Sequence, residues 1–467
     1  MKLSDALFIG CVAGCLALPS LGQAETMSGA LVRAYIGNPD LNQQRAGVRA
    51  QDENLPRATS TWRPTATANL SSGYNYLESI DSTSAASGLA AAASRFRSGS
   101  APTSLGLTVS QTIYNGNRTL NGVRQAESNI FGARENLRNT ELDTLQNGAT
   151  AYMNVLRDIA ILDLRKNNIT VLEEQLRQTR DRFNVGEVTR TDVAQAESSL
   201  ASARSDYFTA QANLQNSVAN YRQIIGVEPT HLEPARTIEN LLPRDMNSAV
   251  EMALAEHPAV QAAFHAVDAA ALQVKLVEGE LLPTASVAGN VQQNYAFQGI
   301  PHERVFNGSI MAQISVPIYE GGEVYARARQ AKETLAQARL QADLQRDMVR
   351  AGVVSTWGQL DTARAVIQSS KAAVKAAEIA LEGIREEAKV GQRTTFDVLF
   401  QQQALLNTRV ALVTAQRDRV VASYAVMASI GRLSAANLNL SVAEYDPTIH
   451  FEQVKDKWIG LRTPDGR

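Results

Sequence analysis

One sequence pattern occurs twice along the chain, and this duplication limits the possible folds more than any single motif does. Residues 27–76 align without a gap on residues 246–295, a shift of 246 − 27 = 219 positions. Residues 110–226 align on residues 315–431 at a shift of 315 − 110 = 205, so the copies differ mainly in a loop between two predicted strands. Identical pairs include Pro39/Pro258, Tyr76/Tyr295, Gly116/Gly321, Arg124/Arg329, Gly186/Gly391, Thr189/Thr394 and Asp192/Asp397. A chain of two copies of one structural unit is predicted.

The repeat divides the chain into segments. We predict a signal peptide at residues 1–24, a first repeat at 25–225, a linker at 226–245, a second repeat at 246–431 and a C-terminal strap at 432–467. Each repeat would contain a helix, two strands and a long helical hairpin. The linker and the strap each follow a hairpin, and we expect both to wrap around the helices as short helices and extended chain.

The first 24 residues are typical of a secretory signal peptide. Lys2 precedes an apolar run through Leu21, and small residues up to Ala24 form a cleavage site. Both cysteines lie in this segment, so the exported chain is expected to hold neither a thiol nor a disulfide. An alternative stays open, because a lipid-attachment box ends at Cys15. No later window of about 18 apolar residues occurs, so no transmembrane helix is predicted after it.

The bulk composition excludes several classes of protein. The 467 residues carry a net charge of −2, so the chain lacks the excess of positive charge that attracts a polyanion. We therefore expect no nucleic-acid partner. Aromatic residues make up only 6%, which suits long helices with small contact residues better than a thick globular core. The five histidines are scattered, and no metalloprotease, P-loop or serine-hydrolase pattern occurs. We therefore predict no enzyme, no metal and no cofactor.

Two proline-free windows, residues 103–228 and 318–446, carry the clearest helical periodicity. Apolar and small residues recur with heptad spacing from Val193 to Ile224, which indicates a coiled-coil seam. The helix before this seam is predicted from about Asn117 to Phe183, and at 1.5 Å per residue it would be roughly 100 Å long. Such a helix is far longer than those of ordinary globular proteins. Each repeat is thus predicted to carry a very long hairpin.

Four segments alternate apolar and polar residues with a period of two, which predicts strands with one apolar and one polar face. They cover residues 65–76, 105–113, 284–295 and 309–318, and outward-facing loops are predicted at 77–102 and 298–307. Each strand is long enough for a tilted bilayer crossing, and the polar faces lack charge, as the wall of a wet lumen can. A soluble sandwich would show the same alternation, but no second apolar sheet is available to cover these faces.

Four strands are too few to close a barrel, and an open sheet edge is not tolerated in lipid. Several chains must then share one barrel. Two copies would give eight strands, whose interior is filled by side chains, whereas three would give twelve and leave a lumen. A trimer is therefore the favoured closure.

Each long helix is predicted to end in the same short motif. It reads Val-Gly-x-x-Thr-x-x-Asp at residues 185–192 and again at residues 390–397. Glycine can adopt the left-handed conformation that ends a helix, and threonine three residues before aspartate forms a capping box that begins the next one. The motif is explained by a turn between two helices. Its duplication at the far ends of two hairpins also favours a docking surface or a gate, and both interpretations stay open.

With the doubled order of strands and helices, this motif resembles the TolC family of outer-membrane efflux and secretion ducts. The resemblance includes residues 182–186, 191–193, 390–391 and 397–399, and it extends over essentially the whole chain after the signal peptide. It implies an α+β membrane protein with four strands per chain in a shared, trimeric, twelve-stranded outer-membrane barrel. Long coiled-coil hairpins would continue this barrel as a periplasmic tunnel.

The resemblance also implies function, partners and location. The chain would be a homotrimeric exit duct of tripartite multidrug efflux pumps, of type I protein secretion, or of both. The tunnel would open at its periplasmic end when it docks a periplasmic adaptor (membrane fusion) protein and an inner-membrane RND or ABC transporter. Its barrel would contact the lipid of the outer membrane of a Gram-negative bacterium. A periplasmic coiled-coil adaptor or structural protein is the alternative, but adaptors have one hairpin, whereas this sequence predicts two.

At the tips, the resemblance assigns roles to single residues. Asp397 is similar to the family's constriction aspartate, which would form a ring of three carboxylates in the trimer. Arg393 is similar to the arginine that ties the second hairpin to the first, with Thr191 and Asp192 as its partners. The implied adaptor-docking residues are Val185, Gly186, Thr189, Val390, Gly391 and Thr394.

Two residues depart from the family pattern. Phe400 lies where some members carry a second constriction aspartate, and Ala388 lies where a tyrosine can help to hold the closed state. A constriction formed by Asp397 and Phe400 is expected to be partly hydrophobic. Burial of Phe400 in the helix seam is the alternative to its exposure in the lumen.

Overall fold

The computed structural model describes residues 25–81, 94–296 and 303–466. The elements follow a matching order in the two halves of this part of the chain, which confirms the internal repeat. The described helices are α1 (Met27–Gly37), α2 (Pro39–Asp52), α3 (Asn54–Thr59), α4 (Arg118–Asn184), α5 (Arg190–Ile225), α6 (Met246–Glu256), α7 (Pro258–Glu278), α8 (Glu323–Lys389), α9 (Thr395–Ser429) and α10 (Pro447–Val454). The described strands are β1 (Thr65–Ser72), β2 (Asn75–Asp81), β3 (Ser94–Ser100), β4 (Thr103–Asn115), β5 (Thr284–Tyr295) and β6 (Arg304–Ser315). The predicted signal peptide lies outside the described residues.

Two long helical hairpins dominate the chain. α4 and α8 contain 67 residues each, so each is about 100 Å long at 1.5 Å per residue. α4 matches the predicted helix to within one residue at each end. α5 and α9 fold back along them, and the predicted heptad positions Ala196, Leu200, Ala203 and Tyr221 are buried. Among the described residues, no helix is both long and apolar enough to cross a membrane.

At one end of the helices, four strands form an antiparallel sheet in the order β1-β4-β5-β6. One face carries apolar side chains, and Leu70 of β1 lies opposite Leu105 of β4 with both side chains exposed. The other face carries hydroxyl and amide side chains, and Gln292 Nε2 donates to Ser104 Oγ at 2.7 Å across β4 and β5. The predicted alternation is confirmed, and β1 and β6 are the edges of this sheet in the described chain.

The first strand is shorter than predicted. We predicted a strand through Tyr76 and a loop at residues 77–102, but β1 ends earlier and β2 and β3 occupy both ends of the predicted loop. These two strands extend the hairpin of β1 and β4 beyond a break in the ladder. Pro102 lies at this break and has no N–H to donate, although its carbonyl accepts from Gly73 N at 3.1 Å. Residues 82–93 of the predicted loop lie outside the described residues.

The last strand also differs from its prediction. β6 begins at Arg304, inside the loop predicted at residues 298–307, and residues 298–302 of that loop lie outside the described residues. β6 ends before Ile318, which we predicted to belong to the strand. Pro317 has no N–H for the ladder, so the strand cannot continue through it. The Ile318 side chain is exposed beyond the strand end.

The segments after each hairpin pack around the middle of the helices. Tyr152 of α4 is fully buried, and its hydroxyl donates to the backbone carbonyls of Glu25 and Glu233, each at 2.7 Å. Burial raises the pKa of Tyr152 to about 12, so the hydroxyl keeps its proton at neutral pH. In α10, His450 Nδ1 lies 3.0 Å from a carboxylate oxygen of Asp52 in α2, and both side chains are buried. These contacts hold extended chain against α4 and the short helix α10 against α2.

The junction between strand and helix is tight in the first repeat and open in the second. Gly116, between β4 and α4, has a φ of +68°, and a Cβ atom there would lie 2.9 Å from Leu282 Cβ and closer still to the Gly279 carbonyl oxygen. Its repeat counterpart Gly321 has a φ of +66°, but no atom lies within 4 Å of its Cβ position. In the described chain, a Cβ atom would clash with its neighbours at Gly116 but not at Gly321.

We predict that Gly116→Ala destabilises the protein by at least about 3 kcal/mol. The left-handed backbone costs a residue with a Cβ atom about 1–2 kcal/mol, and the clash with backbone atoms adds to this. Unfolding of the detergent-solubilised protein by heat or denaturant, followed by circular dichroism, measures the loss. Gly321→Ala is the matched control and should lose only about 1–2 kcal/mol. Equal losses in the two variants would contradict close packing at Gly116.

Candidate functional site at the hairpin tips

The first tip is the turn between α4 and α5. Gly186 has a φ of +82°, a left-handed conformation that glycine adopts without steric cost. The N–H of Glu187 donates to the carbonyl of Arg182 at 2.9 Å, which closes the C-terminus of α4. Val185 is exposed, and no atom lies within 4 Å of the Cβ position of Gly186. The turn therefore presents a small, open, apolar surface.

The second tip, between α8 and α9, repeats this geometry. Gly391 has a φ of +78°, and the N–H of Gln392 donates to the carbonyl of Glu387 at 2.9 Å. Val390 is exposed in the same way as its counterpart, and the Cβ position of Gly391 is equally open. The predicted pair of helix-ending glycine turns is confirmed, and their role in docking an adaptor stays a prediction.

Both following helices begin with the predicted capping box. Thr189 N donates to Asp192 Oδ2 at 2.9 Å, and Asp192 N donates to Thr189 Oγ1 at 3.3 Å. The same reciprocal bonds join Thr394 and Asp397, at 3.0 and 3.2 Å. Each box satisfies backbone N–H groups that the first turn of a helix leaves without partners. The two aspartates are thereby fixed at the tips.

The caps also determine the charge of these aspartates. Hydrogen bonds from the Thr189 side chain and backbone lower the pKa of Asp192, and hydrogen bonds from the Thr394 backbone and side chain lower the pKa of Asp397. Both carboxylates are therefore charged at neutral pH. Because the folded-state pKa values are lowered, the caps contribute stability above the ordinary aspartate pKa of about 4. The caps lose this contribution to stability as the pH falls through the lowered pKa values of the two aspartates.

Arg393 forms an ion pair within its own hairpin. Its Nε donates to Glu387 Oε2 at 2.8 Å, and this hydrogen bond raises the pKa of Arg393. The predicted partner Asp192 caps α5 instead, and the predicted partner Thr191 is exposed. Within one described chain these groups do not form the predicted clamp. A clamp between Arg393 and the first hairpin stays a prediction.

Glu387 was missed as a tip residue, although the repeat held a signal for it. It aligns on Arg182, since 387 − 205 = 182, and Arg182 Nε donates to Glu187 Oε2 at 3.0 Å across the first turn. Both turns are thus bridged by an ion pair, with the cation before the first turn and after the second. A charged residue at this position in both repeats is the signal that indicates an ion pair at each turn.

Phe400 does not lie in the seam of its own hairpin. Its side chain is 66% exposed, and its ring stacks on that of Phe396 with 6.3 Å between the ring centroids. The alternative of burial in the seam is therefore wrong for the single chain. Phe396 was not singled out from the sequence, although it lies four residues before Phe400 on the same face of α9. The tip of the second hairpin carries an exposed aromatic pair beside Asp397.

Leu399 connects the two hairpins. It is buried in a cluster with Leu172, Leu176 and Leu200 of the first hairpin. Next to this contact, a cleft of about 600 Å³ lies between α4 and α8 near the tips. Ala388 lines the cleft and packs against the buried cluster of its own hairpin.

The fold and the tips define a class of protein. A sheet with one apolar and one uncharged polar face lies at one end, and duplicated turns with charged caps lie at the other. Helices of about 100 Å separate the two. This is the arrangement of a membrane-channel subunit with a long helical extension.

The comparisons with known proteins give the same result. The sequence profile of the family described as outer membrane efflux protein matches residues 30–227 and 249–432. The chain is 42% identical over 451 residues to outer membrane efflux protein BepC of Brucella suis biovar 1 (strain 1330), covering 96% of this chain and 94% of BepC. It is 26% identical over 438 residues to outer membrane protein TolC of Escherichia coli (strain K12), covering 90% and 85%. The crystal structure of the Campylobacter jejuni CmeC outer membrane channel superposes with a TM-score of 0.76 at 16% identity, covering 98% and 97%.

This chain therefore belongs to the outer membrane efflux protein family. The predicted resemblance, the outer-membrane location with a periplasmic helical tunnel, and the function as an outer-membrane efflux or secretion channel are confirmed. Members of the family are transport channels. The two matched segments correspond to the two repeats, which does not fit the alternative of a single-hairpin adaptor.

We predict that Thr394→Ala speeds amide exchange in the first turn of α9 roughly 3- to 10-fold, because it removes the hydroxyl that caps this helix. Hydrogen–deuterium exchange of the tip peptides measures the change. Thr408→Ala is the matched control, since the Thr408 hydroxyl donates to the Leu405 carbonyl inside the same helix and caps nothing. If both variants exchanged at the wild-type rate, the cap would contribute nothing to the order of the tip.

Proposed function

We propose that three copies of this chain form one outer-membrane channel-tunnel, and the open four-stranded sheet carries the proposal. Neighbouring strands are antiparallel throughout, so β6 of one copy can pair antiparallel with β1 of the next. In lipid, each unpaired backbone group at these edges would cost several kcal/mol. Three copies supply 3 × 4 = 12 strands, which close a barrel that is wide enough for a lumen.

The two faces of the sheet then have separate tasks. The hydroxyl and amide face lines a wet lumen without fixed charge, and cross-strand bonds such as Thr108 Oγ1 to Asn290 Oδ1 at 3.3 Å keep it ordered. The apolar face contacts the lipid of the outer membrane. A lumen of this kind is a passive duct without catalytic activity, and the selection of cargo lies with the pump.

At the periplasmic end, the tips form a gate that opens on docking. The exposed Val185–Gly186 and Val390–Gly391 turns receive the hairpin of a periplasmic adaptor, with Thr189 and Thr394 beside them. The adaptor brings an inner-membrane transporter of the RND or ABC class, and the complex exports drugs, secretes protein, or does both. The open and apolar character of both turns supports this docking role.

The constriction lies beside the second tip. Asp397 and Phe400 are three residues apart on α9 and therefore share a face, so three copies place a ring of carboxylates next to a ring of aromatic side chains. In the closed state, Arg393 leaves Glu387 and binds Thr191 and Asp192 of the first hairpin. The exposure of Arg393 supports this exchange, since its side chain is not packed into the core of the described chain.

We predict that Asp397→Asn weakens block of the channel by trivalent cations about tenfold or more, because a ring of three carboxylates attracts multivalent cations strongly. Single-channel recording in planar bilayers, with the cation titrated from the periplasmic side, measures the half-blocking concentration. Thr189→Ala is the matched control, since it weakens the same capping box at the other tip, keeps the charges of Asp192 and Asp397, and should leave block unchanged. Wild-type block in Asp397→Asn would remove Asp397 from the lumen.

We also predict that Arg393→Ala and Asp192→Asn each raise the single-channel conductance about twofold or more, because both release the proposed clamp. Two control variants distinguish release of the clamp from loss of the helix cap and from loss of the Arg393–Glu387 ion pair. Thr189→Ala weakens the cap of α5 but keeps the Asp192 charge, and Glu387→Gln removes only the partner of Arg393 within its own hairpin. Neither control should raise the conductance. Equal increases in Thr189→Ala and Asp192→Asn would assign the effect to the cap and refute the clamp.

A further inference from the structure

The C-terminal segment carries three large apolar side chains that are mostly exposed in the described chain. Trp458, Ile459 and Leu461 are 65%, 89% and 103% exposed. Gly460 between them has a φ of +126°, which few other residues adopt, so the backbone conformation that presents these side chains is specific. Soluble surfaces rarely group such side chains without a binding partner.

This segment lies at the end of the sheet that faces the helices. Arg63, which comes just before β1, donates from Nη1 to the Lys457 carbonyl at 2.7 Å, and its guanidinium lies 4.6 Å from the centre of the Trp458 ring. The carbonyl of the neighbouring Trp62 accepts from Gln111 Nε2 at 3.3 Å. Gln111 shares the apolar face of β4, opposite Val287 of β5. The segment is therefore tied to Arg63 at the sheet end, next to a residue that is hydrogen-bonded to the apolar face of β4.

Exposed aromatic side chains occur at the same level on the strands. Trp62 before β1, Tyr114 at the end of β4 and Tyr319 after β6 are all exposed. Tryptophan and tyrosine prefer the boundary between lipid tails and headgroups, since their rings combine an apolar body with a polar group. Trp458 extends this band away from the strands and onto the C-terminal segment.

We infer that residues 457–462 form a membrane anchor that lies in the phospholipid interface at the periplasmic side of the outer membrane. Trp458, Ile459 and Leu461 enter the boundary of the acyl chains, and the cations Lys457 and Arg462 on either side of them meet headgroup phosphates. The Lys457 Nζ also donates to the Arg462 carbonyl at 2.5 Å, which keeps the two ends of the segment together. The occupant is lipid and not a neighbouring subunit, because the segment is tied to the sheet end at the level of the exposed aromatic residues and its apolar side chains are flanked by cations. The inference rests on the membrane position of the sheet and not on the gate at the tips.

Tryptophan fluorescence tests the anchor in the full chain. A variant with Trp62→Phe and Trp357→Phe keeps Trp458 as its only tryptophan, and it is reconstituted in phosphatidylethanolamine–phosphatidylglycerol vesicles with or without brominated acyl chains. Brominated lipid should lower the Trp458 emission about twofold or more, because bromine quenches only rings in contact with the acyl region. Adding Ile459→Asp and Leu461→Asp should remove most of this quenching, and unchanged quenching would refute their role as anchors.

The matched control retains Trp357 and carries Trp62→Phe and Trp458→Phe. Trp357 lies in α8, 357 − 323 = 34 residues from the start of the helix, roughly 50 Å from the sheet end, so its emission should not change. Blue-shifted Trp458 emission without quenching would assign the segment to a neighbouring subunit and overturn the inference. Conductance recorded from the same vesicles tests the channel separately, so a conducting protein with unquenched Trp458 would refute the anchor alone.

Discussion

The backbone groups at the two edges of the sheet govern the rest of the structure. β1 and β6 each present a row of N–H and C=O groups that no strand of the described chain satisfies. In a bilayer such groups cannot be left unpaired, so a chain with four strands must share its sheet with copies of itself. The alternation of faces follows from this closure, since only a closed sheet has an inside that is wet and an outside that is apolar.

The two repeats differ in how the base of the long helix packs where it meets the sheet. In the first, Gly116 and Gly279 bring backbone against backbone, and such a contact can shift little without a clash. In the second, Gly321 is open, and α8 is held to α7 by a small apolar cluster and by side-chain ion pairs such as Lys332 to Glu278 at 2.9 Å. Exposed ion pairs contribute about 0–1 kcal/mol each. The base of the second hairpin, which carries Asp397 and Phe400, is thus held by side-chain contacts, whereas the base of the first also has a close backbone contact.

Much of this arrangement could be predicted from the sequence because the signals were local. An alternation with a period of two predicts strands, and a period of 3.6 predicts helices. A glycine followed by Thr-x-x-Asp predicts a helix end and a capping box. The sequence therefore predicts the sheet, the long helices and both capping boxes. The β2–β3 extension was missed because its strands lack a regular alternation, and only Pro102 hinted at the break. The Arg393–Glu387 pair was missed because the sequence offers several acids to one cation. The pairing of strands between separate copies of the chain leaves no pattern in the sequence of either repeat.

The contact made by Leu399 sets a free-energy cost on separating the two hairpins. Leu399 belongs to the second hairpin, but it is buried among leucines of the first. Any movement that separates the hairpins exposes this side chain, at a cost of about 1.5–3 kcal/mol per subunit. Three subunits that move together multiply this cost, and charge repulsion among three Asp397 side chains acts in the opposite direction. In the proposed trimer, a docked protein that covers this surface would remove the penalty, so docking would favour separation of the hairpins.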